Sequence, residues 1–153
     1  MKRIISSPSP NYNDRPPGTI IDILVLHYTG MPETTQALER MCDPTTKVSA
    51  HYLIDIDGQI LQLISESKRA WHAGTSSWRG SCNINDRSIG IELANPGHEH
   101  GYQKFPDRQM ESLIKIAKRT VARYPIPARN VIGHSDISPT RKKDPGELFD
   151  WHK

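Results

Sequence analysis

Two histidines stand where apolar runs of the chain end. His27 closes Thr19-Ile20-Ile21-Asp22-Ile23-Leu24-Val25-Leu26, and His134 closes Asn130-Val131-Ile132-Gly133. Runs this rich in β-branched and aliphatic residues suit strands, so both imidazoles are expected on the rim of a sheet, where open α/β folds bind ligands. Singly each is a weak signal, because most histidines are hydrogen-bonded surface or core residues. The segment Lys142-Lys143-Asp144-Pro145-Gly146 offers a third group, an aspartate that the basic pair would keep ionised and the proline-fixed turn would hold rigidly. Two neutral imidazoles and one carboxylate leave a tetrahedral zinc ion a fourth position for water, which is how catalytic rather than structural zinc is held. On local spacing alone, a turn or helix-capping role for Asp144 is the stronger reading.

These groups need elements to position them. The run ending at His27 reads as a strand buried on both faces. Pro32 opens a short amphipathic helix with Ala37, Leu38, Met41 and Cys42 on one side, ending near Asp43-Pro44. From His51 to Ile64, two β-rich runs flank Asp57-Gly58, a dipeptide suited to a tight hairpin turn. Ser88 to Leu93 alternates as a further strand that carries Glu92 near its end. Met110, Leu113, Ile114, Ala117 and Val121 form an apolar stripe on a helix from Pro106 to Tyr124, which Pro125 ends. A short strand from Asn130 delivers His134, and a Pro- and Gly-punctuated loop runs to Lys153. Residues 1–18, rich in Ser, Pro and Asn, read as an irregular arm laid over the surface, leaving 19–153 as one domain. Interleaved strands and helices predict an α/β domain, a central mixed β-sheet flanked by helices with the histidines at one rim.

The totals set bounds. A chain of 153 residues suits one domain. A net charge of +3, carried by scattered basic residues, gives no concentrated stripe for nucleic acid. Cys42 and Cys82 form no CxxC pair, so no disulfide framework or four-cysteine zinc site is expected, and both read as buried free thiols. No stretch approaches the ~20 apolar residues that span a bilayer. The start, Met1-Lys2-Arg3-Ile4-Ile5-Ser6-Ser7-Pro8, lacks the apolar run of ~7–15 residues that an export signal needs, so a cytoplasmic location is expected.

Six stretches occur in an order that carries a resemblance. They are Leu24-Val25-Leu26-His27-Tyr28-Thr29, Ser49-Ala50-His51-Tyr52-Leu53-Ile54-Asp55, Arg69-Ala70-Trp71-His72-Ala73-Gly74, Ser88-Ile89-Gly90-Ile91-Glu92, Gly133-His134-Ser135-Asp136 and Arg141-Lys142-Lys143-Asp144-Pro145-Gly146. Together they closely resemble the zinc N-acetylmuramoyl-L-alanine amidases, the superfamily of bacterial anhydro-muramyl-peptide amidases, phage lysozyme-like amidases and animal peptidoglycan recognition proteins. The resemblance covers about residues 20 to 151. It implies a Zn2+ ion on His27, His134 and Asp144, a catalytic carboxylate at Glu92 and a catalytic lysine at Lys142. Spacing cannot separate Lys142 from Lys143; the family pattern selects Lys142. Some phage relatives carry a cysteine as third ligand and a tyrosine before the hairpin histidine, where this chain has Asp144 and Ala50, which leaves the base role to Glu92. The implied reaction is hydrolysis of the amide between the lactyl group of (anhydro-)N-acetylmuramic acid and L-alanine of a stem peptide, in cell-wall turnover or recycling. The implied partners are peptidoglycan or its muramyl-peptide fragments, with no nucleic acid, and the implied state is a monomer.

Other residues stay open at this level. His51 and His72 sit in the quoted motifs and line a substrate groove or serve the structure with equal weight, and Trp71 and Trp78 read as sugar platforms in that groove or as core, with core the reading for at least one of them. His98, His100 and His152 are expected to be exposed. A non-catalytic receptor would lack part of the His27, His134, Asp144 and Glu92 set, and a zinc peptidase cutting within the stem peptide would share the ligand types but not the motif order. The Ile91–Gly97 stretch looks closer to relatives acting on polymeric wall, whereas the missing export signal favours soluble anhydro-muramyl peptides.

Overall fold

A computed structural model describes residues 3–153. The chain runs through β1 (Ile5–Ser6), β2 (Tyr12–Asp14), β3 (Ile23–Tyr28), α1 (Thr34–Cys42), β4 (Tyr52–Ile54), β5 (Ile60–Gln62) and β6 (Lys68–Ala70). It continues through β7 (Ser77–Trp78), β8 (Ser81–Cys82), β9 (Ser88–Leu93), α2 (Asp107–Arg123), β10 (Val131–Gly133) and α3 (His134–Ile137). Six strands form one mixed sheet in the order β1-β5-β4-β9-β3-β10, in which only β4 and β5 pair antiparallel.

The central strands β3 and β9 are covered on both faces, which is why β3 reads as an unbroken apolar run. Leu24, Leu26, Ile89 and Ile91 point to a core that α2 closes with Met110, Leu113 and Ile116. The alternate residues Ile23 and Val25 face the other side, where they pack with Ala73, Ile84, Ile132 and Ile137. On that same side α1 seats Ala37 and Met41 against Leu53, Leu63 and Ala70. Each of the Val, Leu, Ile and Met side chains among these contributes roughly 1.5–3 kcal/mol on burial, so the layers are held by many modest contributions. The hairpin turn lies close under α2: a Cβ at Gly58 would come 2.6 Å from the Arg108 carbonyl oxygen, and Ser112 Oγ donates to Gly58 O at 2.6 Å.

Register sets up the chemistry. Because β3, β4, β9 and β10 run parallel, their carboxyl ends share one edge of the sheet. His27 stands directly beside Glu92, and Gly133 beside Leu26, so His134 follows at the same edge.

Three expectations change. The strand leading to His27 begins at Ile23, not Thr19, because Asp22 is occupied as the carboxylate partner of the Arg87 guanidinium and Ile20 is exposed. The arm is not irregular. β1 extends the main sheet along β5, β2 pairs antiparallel with β6, and Ser9 and Asn11 are buried; residues 1 and 2 of the arm lie outside the described residues. The cysteines are free but not buried, Cys42 being half-buried and Cys82 exposed. Among the described residues, no helix is long and apolar enough to cross a membrane.

Asn11 is the pin of the arm. Its side-chain amide donates to Asp43 O at 2.8 Å and Val48 O at 2.9 Å, and Ser49 Oγ donates to Asn11 O at 2.7 Å. Replacing Asn11 with Ala strands those two carbonyls and should cost about 1–3 kcal/mol, lowering the melting temperature by several degrees in a thermal scan. An unchanged melting temperature would show that the arm is not held by this residue.

Candidate metal centre

Three acceptor atoms converge at the shared edge. His27 Nδ1 lies 2.9 Å from His134 Nδ1 and 3.1 Å from Asp144 Oδ2, and His134 Nδ1 lies 3.2 Å from Asp144 Oδ2. All three residues are buried, and they form a group able to hold a metal ion. The end of β3 supplies His27, and the loop after α3 returns to supply Asp144, tied by Ser135 N–H donating to Asp144 O at 3.0 Å. His134 corrects the sequence reading slightly: it opens α3 instead of ending β10, and Gly133 N–H donates to Asp136 Oδ2 at 2.8 Å to cap that turn.

The proton inventory of this cluster indicates what fits it. His134 Nε2–H donates to Ala73 O at 3.0 Å; a carbonyl only accepts, so the neutral ring presents a lone pair at Nδ1. Burial, reinforced by the His134 ring, lowers the His27 pKa to about 4, which keeps that ring neutral. With both ring protons on Nε2, two imidazole lone pairs and a carboxylate oxygen pressed together repel one another, and a cation among them would remove that repulsion. Ligand atoms around a tetrahedral zinc ion at ~2.0–2.1 Å stand about 3.3 Å apart, close to the spacing seen here, and three protein ligands leave one position open.

Glu92 adds the fourth functional group. Its Oε2 is buried and without a hydrogen-bond partner. Burial, and then the Asp144 charge, push its carboxyl well above the usual range, while Lys142 pulls the other way. Glu92, Lys142, Asp144 and His134 line a groove of about 350 Å³, together with Tyr28, Trp71 and His98. Trp71 anchors one wall, its Nε1–H donating to Asn13 Oδ1 at 2.9 Å. Lys142 and Lys143 both reach the groove, and Lys142 is the less exposed and acts electrostatically on His27 and Glu92.

The motif histidines separate. His51 does not line the groove: it is fully buried, its Nδ1 accepts from Gly90 N–H at 3.0 Å, and its Nε2 donates to Lys68 O at 3.0 Å. Both nitrogens are thus used by backbone, and the substrate-contact reading of His51 gives way to a structural one. His72 borders the groove but is 8% exposed, with both ring nitrogens bonded inside the protein. Trp78 is half-buried and packs against the cluster of Ile23, Val25 and Ile132, away from the groove. His98 was expected to be exposed, yet it is half-buried in the groove wall, accepting from Tyr28 Oη–H at 2.8 Å and meeting Glu147 Oε2 at 2.8 Å. His100 and His152 are exposed as expected.

The chain is similar to several known proteins. A family model described as N-acetylmuramoyl-L-alanine amidase matches residues 16–147. The amidase AmiD of Escherichia coli K12 is 41% identical over 145 residues, covering 87% of this chain and 51% of AmiD, so the chain spans about half the length of that relative. The structure of AmiD in complex with the substrate anhydro-N-acetylmuramic acid-L-Ala-D-γ-Glu-L-Lys superposes with a TM-score of 0.78 at 40% identity, covering 90% of this chain and 58% of the other. The 1,6-anhydro-N-acetylmuramyl-L-alanine amidase AmpD of Citrobacter freundii is 37% identical over 161 residues, covering 94% of this chain and 84% of AmpD. A selenomethionine AmpD crystal structure gives a TM-score of 0.86 at 36% identity, covering 99% of this chain and 92% of that one.

Removing the carboxylate tests the cluster. Asp144→Ala should lose most of its bound divalent metal after dialysis, because two imidazoles alone hold such an ion weakly. A variant that kept one equivalent by elemental analysis would remove Asp144 from the ligand set.

Proposed function

Because the chain belongs to the N-acetylmuramoyl-L-alanine amidase family, we propose that it hydrolyses the amide between the lactyl group of an anhydro-N-acetylmuramic acid and the L-alanine of its stem peptide. His27, His134 and Asp144 would hold a zinc ion for this reaction. The observation that carries the reading is the buried, unpartnered Glu92 carboxylate oxygen beside three convergent ligand atoms. A buried carboxylate with no partner costs stability and is kept where chemistry uses it.

When bound, zinc brings the pKa of a coordinated water from 15.7 to about 7 and polarises the amide carbonyl. Glu92 takes the proton from the attacking water, which its raised proton affinity favours. It then passes that proton to the departing alanine nitrogen, which leaves poorly as an anion. Lys142 lines the same groove and offers its ammonium to the oxyanion that develops on the carbonyl oxygen. Tyr28, Trp71 and His98 line the same groove and offer it walls against which the sugar and peptide would lie. The anhydro-sugar form is favoured as substrate because AmpD, matched over most of its length, carries that specificity in its name, and AmiD binds the same class of ligand.

Two measurements check the proposal. Incubation with anhydro-muramyl tripeptide should release anhydro-N-acetylmuramic acid and the intact tripeptide by mass spectrometry, and fragments cut within the peptide would contradict it. Glu92→Gln should keep its zinc while turnover falls ~100-fold or more; near-normal turnover would assign the base to another group.

A further inference from the structure

A neutral imidazole has one lone pair, so His27 can face the metal position only if its proton sits on Nε2. For His134 the matter is decided by a carbonyl, Ala73 O. For His27 the partner is another imidazole: His27 Nε2 lies 3.0 Å from His72 Nδ1. An imidazole nitrogen can donate or accept. The choice therefore passes along the His72 ring to its far nitrogen, 3.0 Å from Ser88 Oγ. When His72 donates from Nε2 to Ser88 Oγ, its Nδ1 accepts from His27 Nε2–H and the His27 Nδ1 lone pair is free. The reverse order places a proton on His27 Nδ1 and blocks the ligand.

We propose that the His72-Ala73 segment is a positioning device that sets the tautomers of both candidate ligand histidines, His27 through the His72 ring and His134 through the Ala73 carbonyl. The inference rests on the reading of His27 and His134 as metal ligands. The segment is held rigidly. Asn85 Oδ1 accepts from His72 N–H at 3.1 Å and from Ala73 N–H at 2.9 Å. The His72 ring lies against the bare Cα of Gly90, where a Cβ would come 2.4 Å from His72 Cγ. Arg15 in turn pins the backbone on both sides, donating to Asn85 O at 3.1 Å and Ser88 O at 2.9 Å. His72 is thus removed from the list of substrate contacts and given a role behind the metal.

The test compares two variants by zinc affinity, read from competition with a chromophoric chelator. His72→Phe keeps the ring but cannot accept from His27, and should weaken zinc binding by ~10–100-fold. His72→Asn restores an acceptor at the Nδ1 position and should recover most of that loss. Wild-type affinity in the Phe variant, or equal losses in both, would overturn the proposal by reducing His72 to a packing residue. Should the Phe variant not fold, nitrogen-15 NMR of histidine in the zinc-loaded wild type decides: His72 protonated at Nε2 supports the proposal and protonation at Nδ1 overturns it. Absence of zinc from the wild type would instead bring down the metal reading, and the proposal with it.

Discussion

His27 Nδ1, His134 Nδ1 and Asp144 Oδ2 are pressed within 3.2 Å of one another, at a place where burial holds the His27 ring neutral. With the His27 and His134 protons on Nε2, these are three acceptors that a cation between them would hold together, and the surrounding structure brings them to that point. Parallel pairing of β3 with β9 and β10 brings the strand ends to one edge. The pairing also sets Glu92 beside His27, on the same face of the sheet. Slipping β9 by one residue would turn Glu92 to the opposite face, toward α2. The register is held by Ile23, Val25 and their opposite-facing neighbours Leu24 and Leu26, all fully or nearly fully buried.

The same burial gives the site its chemical character. Water is excluded on the protein side of the cluster, so each charge acts more strongly there than at an exposed surface. Glu92 is left with an unpartnered oxygen and a raised proton affinity, a state that destabilises the fold and suits a group that moves protons. Lys142 reaches the same space from the loop that delivers Asp144, so in the proposed reaction one turn would supply both a carboxylate for the cation and an ammonium for the developing oxyanion. Behind the site, a second layer of buried polar groups runs from Arg15 and Asn85 to the His72-Ala73 segment. The arm that carries Arg15 is for that reason more than a covering: it closes the back of the layer that orients the ligands.

The sequence made some of this legible and hid the rest for identifiable reasons. The apolar run before His27, the stripe on α2 and the Asp57-Gly58 turn are local patterns, and each produced the expected element. Composition and spacing placed two histidines at strand ends but could not rank Asp144 above a capping residue, or Lys142 above Lys143; the family resemblance did both. His51 and His72 occupy equivalent-looking motifs, and what separates them from groove residues is the set of atoms facing each ring, which no short pattern encodes. His98 was misread because its partners Tyr28 and Glu147 lie 70 and 49 residues away along the chain. The arm was misread for a similar reason, since Pro- and Ser-rich composition gives no sign of the partner strands that β1 and β2 meet in β5 and β6.

The central claim is that one metal ion sits among three named atoms and keeps a position open toward Glu92. Anomalous diffraction at the zinc edge from crystals of the metal-loaded protein tests it most directly. The account predicts a single peak ~2.0–2.2 Å from His27 Nδ1, His134 Nδ1 and Asp144 Oδ2, with a fourth, non-protein ligand on the Glu92 side. A peak bound by other residues, or one closed off by a fourth protein ligand, would contradict it.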